Sequence, residues 1–222
     1  VENTSFGFTG EAPKTRYYLV GNFTSTPWAM DNSYLMQDGT STMDQETNKE
    51  AEYNIKNVRL TKGQILKARS DNGDWYSSFA HMWSNSISKD GDGNYIVPMT
   101  SKSYRFYLKF YTDKTTQLYI KADKDIMFFK PSNDWAKDGA KFKAKFDSQE
   151  VQLTSKDSDG YYRIDVPSGS TKMQLLRCSS SWSQWNFSNE MTLANTDTNN
   201  SFELYGGKWD SWGAGDGTWS AR

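Results

Sequence analysis

The heptapeptide Tyr104-Arg105-Phe106-Tyr107-Leu108-Lys109-Phe110 puts an aromatic or aliphatic residue at every even position, with Arg105, Tyr107 and Lys109 between them. Successive side chains of an extended chain point to opposite faces, so this spacing predicts a strand with one face in a core and the other in water. The same period of two, or a short apolar run bounded by Gly, Asn, Asp or Ser, recurs on both sides of it. Before it come Arg16–Asn22, Tyr53–Leu60, Gln64–Arg69 and Tyr95–Val97. After it come Gln117–Lys121, Ile126–Lys130, Ala140–Phe146, Glu150–Thr154, Tyr161–Val166, Lys172–Cys178 and Phe202–Tyr205. No stretch sustains the i, i+3, i+4, i+7 spacing of a long helix, so twelve short strands predict an all-β fold of the sandwich type.

A chain of 222 residues has room for one large domain or two small ones. The charged segment Lys121-Ala122-Asp123-Lys124-Asp125 separates two apolar strands, and a second series with the same rhythm follows it. We therefore expect two immunoglobulin-like antiparallel β-sandwich domains in tandem, over residues 16–124 and 125–222. Residues 1–15 show no periodicity and read as a leader that packs on the first domain or frays.

Composition excludes several classes of function. Lys plus Arg is 26 against 27 for Asp plus Glu, which argues against a nucleic-acid footprint and against an acidic tail. Leu, Ile, Val and Phe make up only about 16% of the chain, and 9 Trp and 13 Tyr supply the missing core area. No run approaches the ~20 apolar residues of a membrane-spanning helix, and no signal region follows Val1, so a soluble, already processed chain is expected. One Cys and one His leave no disulfide within the chain and no zinc site built on cysteines or paired histidines.

The tryptophans are the most informative residues, because nearly all of them sit in polar turns. Trp28 lies in Ser25-Thr-Pro-Trp-Ala29, Trp75 in Asp71-Asn-Gly-Asp-Trp-Tyr76, Trp135 in Pro131-Ser-Asn-Asp-Trp135, and Trp182 and Trp185 in Ser179-Ser-Ser-Trp-Ser-Gln-Trp-Asn186. A flat ring flanked by amides, carboxylates and ammonium groups suits a sugar, whose C–H face stacks on the ring while its hydroxyls take the polar partners. The competing reading is that each indole plugs one end of a sandwich core. Asp90-Gly-Asp92-Gly-Asn94 has the alternating oxygens of a calcium loop, but Ser101 stands where such a loop needs Glu, which favours a plain Asp-Gly turn. No cofactor is otherwise expected. Asp71, Asp74, Asp134 and Asp157 offer carboxylates, yet their spacing gives no support for a glycosidase pair.

Tyr17-Tyr-Leu-Val-Gly-Asn-Phe23 with Trp28, Glu52 through Gly63, Ile65-Leu-Lys-Ala-Arg69 and Trp75-Tyr76 together make the first half resemble bacterial starch-binding modules. That resemblance implies a maltooligosaccharide platform in which Trp28, Trp75 and Tyr76 stack and Lys67 and Arg69 donate hydrogen bonds. Ile126 through Trp135, Tyr161 through Pro167, Met173 through Arg177 and Trp185-Asn186 make the second half similar to carbohydrate-binding module family 26. Here the resemblance implies Trp135 and Trp182 as stacking residues, with Trp185 and Trp219 structural. Lys141-Phe-Lys-Ala-Lys-Phe146 departs from that family, which often carries outward aromatics on this strand. The pair of modules resembles the starch-adherence proteins of Ruminococcus amylosomes. The resemblance implies non-catalytic binding of starch at the surface of a Gram-positive gut bacterium, with other amylosome proteins as partners through parts outside this chain. Two other functions are weighed against this one: a protein-interaction scaffold using the same aromatics as hot spots, and a small glycoside-active enzyme.

Overall fold

The computed structural model describes residues 14–39, 48–82, 86–147, 149–193, 199–204 and 217–222. Among them the chain runs as β1 (Tyr17–Gly21), a 3-10 turn (Asn32–Tyr34), β2 (Gln37–Asp38), β3 (Lys49–Leu60), β4 (Ile65–Ser70), β5 (Trp75–Tyr76), β6 (Phe79–His81), β7 (Tyr95–Ile96), β8 (Ser101–Tyr111) and β9 (Thr116–Ala122). It continues as β10 (Ile126–Lys130), β11 (Lys141–Phe146), β12 (Glu150–Leu153), β13 (Tyr162–Asp165), β14 (Lys172–Cys178), β15 (Gln184–Phe187), β16 (Met191–Thr192), β17 (Ser201–Leu204) and β18 (Gly217–Ser220). The described residues contain no α-helix, and no helix long and apolar enough to cross a membrane.

The strands form four sheets. One joins β1, β4 and β5 with β7 beside β4, and another follows the order β2-β3-β8-β9-β6. Their inward residues, among them Leu19, Leu60, Leu66, Tyr104, Phe106, Leu108 and Ile120, make one buried cluster that ends at Ala122. The sheets β13-β10-β17-β18 and β12-β11-β14-β15, with β16 beside β14, enclose a second cluster that begins at Met127 and includes Phe129, Phe142, Ile164 and Leu175. Burying these faces is the main force that holds the sheets together.

β8 carries the expected alternation, with Tyr104, Phe106 and Leu108 inside. Its outer face is drier than expected at one point, because Lys109 is buried with its ammonium 4.7 Å from the Tyr119 ring centre. A long lysine stem covers apolar surface readily, which explains how a charged residue fits there. The pairing is not wholly antiparallel as anticipated, since β6 joins β9 and β10 joins β17 in parallel.

The last residues of the chain return to the first cluster. Ala221 packs on it, and the Arg222 carbonyl accepts the Thr100 N–H at 2.7 Å. The fully buried Asn200 amide donates to the Thr100 and Arg222 carbonyls at 3.1 and 3.0 Å and accepts the Arg222 N–H at 2.7 Å. Asp125 accepts the Lys102 N–H at 2.9 Å, and Lys102 pairs with Asp165 at 2.6 Å. The segments flanking the two clusters are thus joined by a buried amide and by charge-assisted bonds.

Candidate functional site

The turn after β1 is built around Gly21. A Cβ there would lie 2.2 Å from the Ile65 carbonyl oxygen, so only glycine lets β1 approach the start of β4 this closely. Asn22 continues the contact, its side-chain oxygen accepting the Ile65 N–H at 2.9 Å. Thr24 donates to the Thr26 carbonyl at 2.7 Å, and the Trp28 N–H returns to the Gly21 carbonyl at 3.0 Å. This curl delivers Trp28 in the left-handed region at φ 65°, a costly conformation for a bulky side chain.

β4 supplies the next residues. Leu66 and Ala68 face the core, so Lys67 and Arg69 share the opposite face. Arg69 and Trp75 are direct partners across the β4–β5 hairpin, whose turn is closed by the Ser70 N–H donating to the Asp74 carbonyl at 2.9 Å and by Gly73 at φ 98°. Arg16 steadies the turn from outside by pairing with Asp71 at 3.0 Å, and this hydrogen bond holds the Asp71 carboxyl below the usual carboxylate range.

These segments bring two indoles together. The Trp28 and Trp75 ring centres are 6.3 Å apart with their planes at 64°, and Trp75 is 47% exposed. The Arg69 guanidinium lies 4.8 Å from the Trp75 ring centre, within cation–π range. Its Nε is buried and has no hydrogen-bond partner among the described residues. Lys67 donates to the Asp92 carbonyl at 2.8 Å, tying the platform to the 90–94 turn.

Tyr76 is not part of this surface. Neighbouring residues of a strand face opposite ways, so with Trp75 outward Tyr76 turns in, where it packs on Tyr17 at 5.8 Å and Phe110 at 5.6 Å. Burial pushes the Tyr76 hydroxyl above its ordinary pKa and that of Tyr17 up to about 12.

Trp135 departs further from the expected role. It is 0% exposed, stacked on Phe142 with ring centres 6.3 Å apart and planes 4° apart, and edge-on to Phe129. A ring buried on this scale offers no face to a ligand. Trp182 is half-buried at φ 67°, with the Lys141 ammonium 4.8 Å from its ring centre. Trp219 packs on Phe202 against the second cluster, as a structural residue would. Trp185, also expected to be structural, is instead 43% exposed. Its flanking amides, Gln184 and Asn186, are the sequence signal that distinguishes it. Trp83, Trp209 and Trp212 lie outside the described residues.

At the candidate calcium loop, Asp90 accepts the N–H groups of Asp92 and Asn94 at 3.0 and 2.8 Å and the Asn94 side-chain amide at 2.7 Å. Both oxygens thus brace a turn, and the described residues contain no cluster of three or more His, Cys, Asp or Glu arranged for a metal. Among the carboxylates weighed for catalysis, Asp157 is held low, chiefly by the Tyr161 N–H and then by Arg222. Asp71 is low as well, held chiefly by its hydrogen bond with Arg16.

Comparison with protein-family models, with curated proteins and with solved structures gives no match to this chain. The functional reading therefore stands on the geometry of the site.

Proposed function

We propose that this chain is a non-catalytic α-glucan-binding protein that adheres its parent protein to starch outside the cell. The two core clusters, each with its pair of sheets, would be immunoglobulin-like modules over 16–124 and 125–222. The carrying observation is the Trp28–Trp75 pair, two rings tilted by 64° with Trp75 open to solvent. Successive glucose rings of a helical α-1,4-glucan change direction along the chain, so tilted shelves suit them better than the coplanar strip that suits a flat β-glucan. Arg69 contributes its guanidinium beside Trp75 and Lys67 its ammonium to the sugar hydroxyls, which accept hydrogen bonds.

Isothermal titration of the full chain with maltoheptaose, with cellohexaose as control, tests the reading. Trp75→Ala should weaken maltoheptaose at this platform by about 1–3 kcal/mol, the size of aromatic stacking losses for other flat ligands. An exposed ring contributes little to folding, so the unfolding free energy should stay within about 0.5 kcal/mol of wild type. An unchanged isotherm from the folded variant would remove Trp75 from the site. No reducing sugar should appear from amylose over hours.

A further inference from the structure

We infer that Trp185 forms a second sugar-stacking platform, built independently of Trp28 and Trp75 and braced by the buried Arg177. The choice of glucan as its occupant rests on the reading of the first platform.

The strand pairing itself aims the ring. β14 and β15 match Leu176 with Phe187 and Arg177 with Asn186, then Cys178 with Gln184, which leaves Trp185 as the extra residue of a β-bulge. Bulges bend a strand and redirect a side chain, and they are enriched beside functional sites. Here the redirected side chain is an indole 43% exposed, one of three large exposed apolar residues among those described.

The support beneath it is rigid. Arg177 is only 1% exposed, and it donates to the carbonyls of Trp135 and Lys137 at 2.9 Å each and to the Asp138 carboxylate at 3.0 Å. Its guanidinium carbon is 4.7 Å from the Trp185 ring centre. With a fixed cation over one face, the exposed area of the indole belongs to its other face and its rim. A ring already held in place loses little further freedom when a ligand stacks on it.

The first platform repeats this construction with different strands. There Arg69 lies 4.8 Å from Trp75, each on one of two hydrogen-bonded neighbouring strands. Both places also contain a buried polar atom with no partner among the described residues, the Arg69 Nε in one and the Asn186 side-chain oxygen in the other. Asn186 adjoins Trp185 and is the cross-strand partner of Arg177, the residue beneath the ring. The surroundings separate a glycan from a protein partner. In sequence Trp185 stands among Ser181, Ser183, Gln184 and Asn186, and the arginine beneath it holds Lys137 and Asp138; these polar neighbours suit a glycan, whereas protein docking favours a contiguous apolar patch.

The test follows the indole N–H resonances of the full chain during maltoheptaose titration, the Trp75 and Trp185 peaks being assigned from the Trp75→Ala and Trp185→Ala spectra. Wild type should show both peaks shifting and titrate with two sites. Each single variant should retain one site, and Trp185→Ala should weaken adhesion to granular starch by about 10- to 100-fold through lost avidity. Trp185→Tyr, which keeps a flat ring, should recover part of that loss, and matching unfolding midpoints would confirm intact folds. A Trp185 peak that stays still while Trp75 shifts would overturn this inference and leave the first platform standing. The reverse pattern would support it and remove Trp75 from the binding site, and stillness of both would end both readings. Trp185→Ala that leaves glucan binding unchanged while abolishing self-association in the ultracentrifuge would assign the ring to a protein contact and overturn the proposal.

Discussion

Trp75 and Trp135 each follow an aspartate in a short polar turn, Asn72-Gly73-Asp74-Trp75 and Ser132-Asn133-Asp134-Trp135, yet the first is 47% exposed and the second fully buried. The difference lies in what each turn folds against. The first turn closes a hairpin, so strand alternation fixes Trp75 outward with Arg69 as its cross-strand partner. The second curls back over a sheet end, where the Ser132 hydroxyl accepts the Trp135 N–H at 3.2 Å and Arg177 takes the Trp135 carbonyl. That curl drops the indole between Phe129 and Phe142. The same arginine that fastens the buried Trp135 also lies over the exposed Trp185, so one cation serves both a core and a surface ring.

The contrast is sharpest in stability. Trp135→Ala should destabilise the protein by about 3–5 kcal/mol, the range for deleting a buried aromatic side chain. Denaturant unfolding, with hydrogen exchange read separately over residues 16–122 and 126–204, should locate that loss in the second cluster. A Trp135→Ala protein as stable as Trp75→Ala would break the distinction between the two turns.

Local pattern made much of the fold legible. Each of the twelve runs contains a strand, and in the longer ones alternation over four or more residues reports directly which face is buried. The strands without such a pattern are short or mixed, such as Trp75–Tyr76, Phe79–His81 and Gln184–Phe187. Two or three residues carry no period, and their pairing is decided by distant partners, as when β6 lies parallel to β9. The site divides the same way. Lys67 and Arg69 share a face by alternation, and the structure brings Arg69 beside Trp75. That same rule separates Tyr76 from Trp75. Burial of Trp135 and exposure of Trp185 depend instead on Arg177, a residue 42 positions from one and across a bulge from the other, which no local spacing reveals.

Acid should separate the two clusters by a smaller margin. The sole histidine, His81, belongs to β6 at the first cluster, with its Nε2 2.6 Å from the hydroxyl of the buried Tyr95. Burial lowers its pKa to about 4, partly opposed by a hydrogen bond with the Ser86 backbone. Since the folded value lies below the unfolded one of about 6.5, the fold favours the neutral ring. The associated stability is complete above pH 6.5 and declines as pH falls from there toward 4, by at most about 3 kcal/mol. Asp71, Asp147 and Asp165 have depressed pKa values and lose their share only at lower pH. Urea midpoints at pH 7 and pH 5 should therefore differ in wild type and nearly coincide in His81→Gln. A drop that persists in the variant would assign the acid sensitivity elsewhere.

The smallest expected effect concerns Trp28 and Trp182, which share an unfavourable backbone conformation at φ 65° and 67°. An L-residue held there loses roughly 1–2 kcal/mol, and glycine escapes that cost at the expense of greater freedom in the unfolded chain. Trp28→Gly and Trp182→Gly each remove a half-buried ring but also relieve this strain, so the net change should stay within about 1 kcal/mol of wild type. The alanine variants lose the ring and keep the strain, and should be less stable than the glycine variants by about 1 kcal/mol in chemical denaturation. This order, glycine above alanine, is the reverse of what an ordinary strand or helix position gives. Affinity should separate the two positions: Trp28→Gly should weaken maltoheptaose about 10-fold at its platform despite a nearly unchanged fold. If Trp28→Gly instead lost several kcal/mol of stability and no affinity, its ring would be a structural plug like Trp135, and Trp75 would have to hold the sugar without a tilted partner.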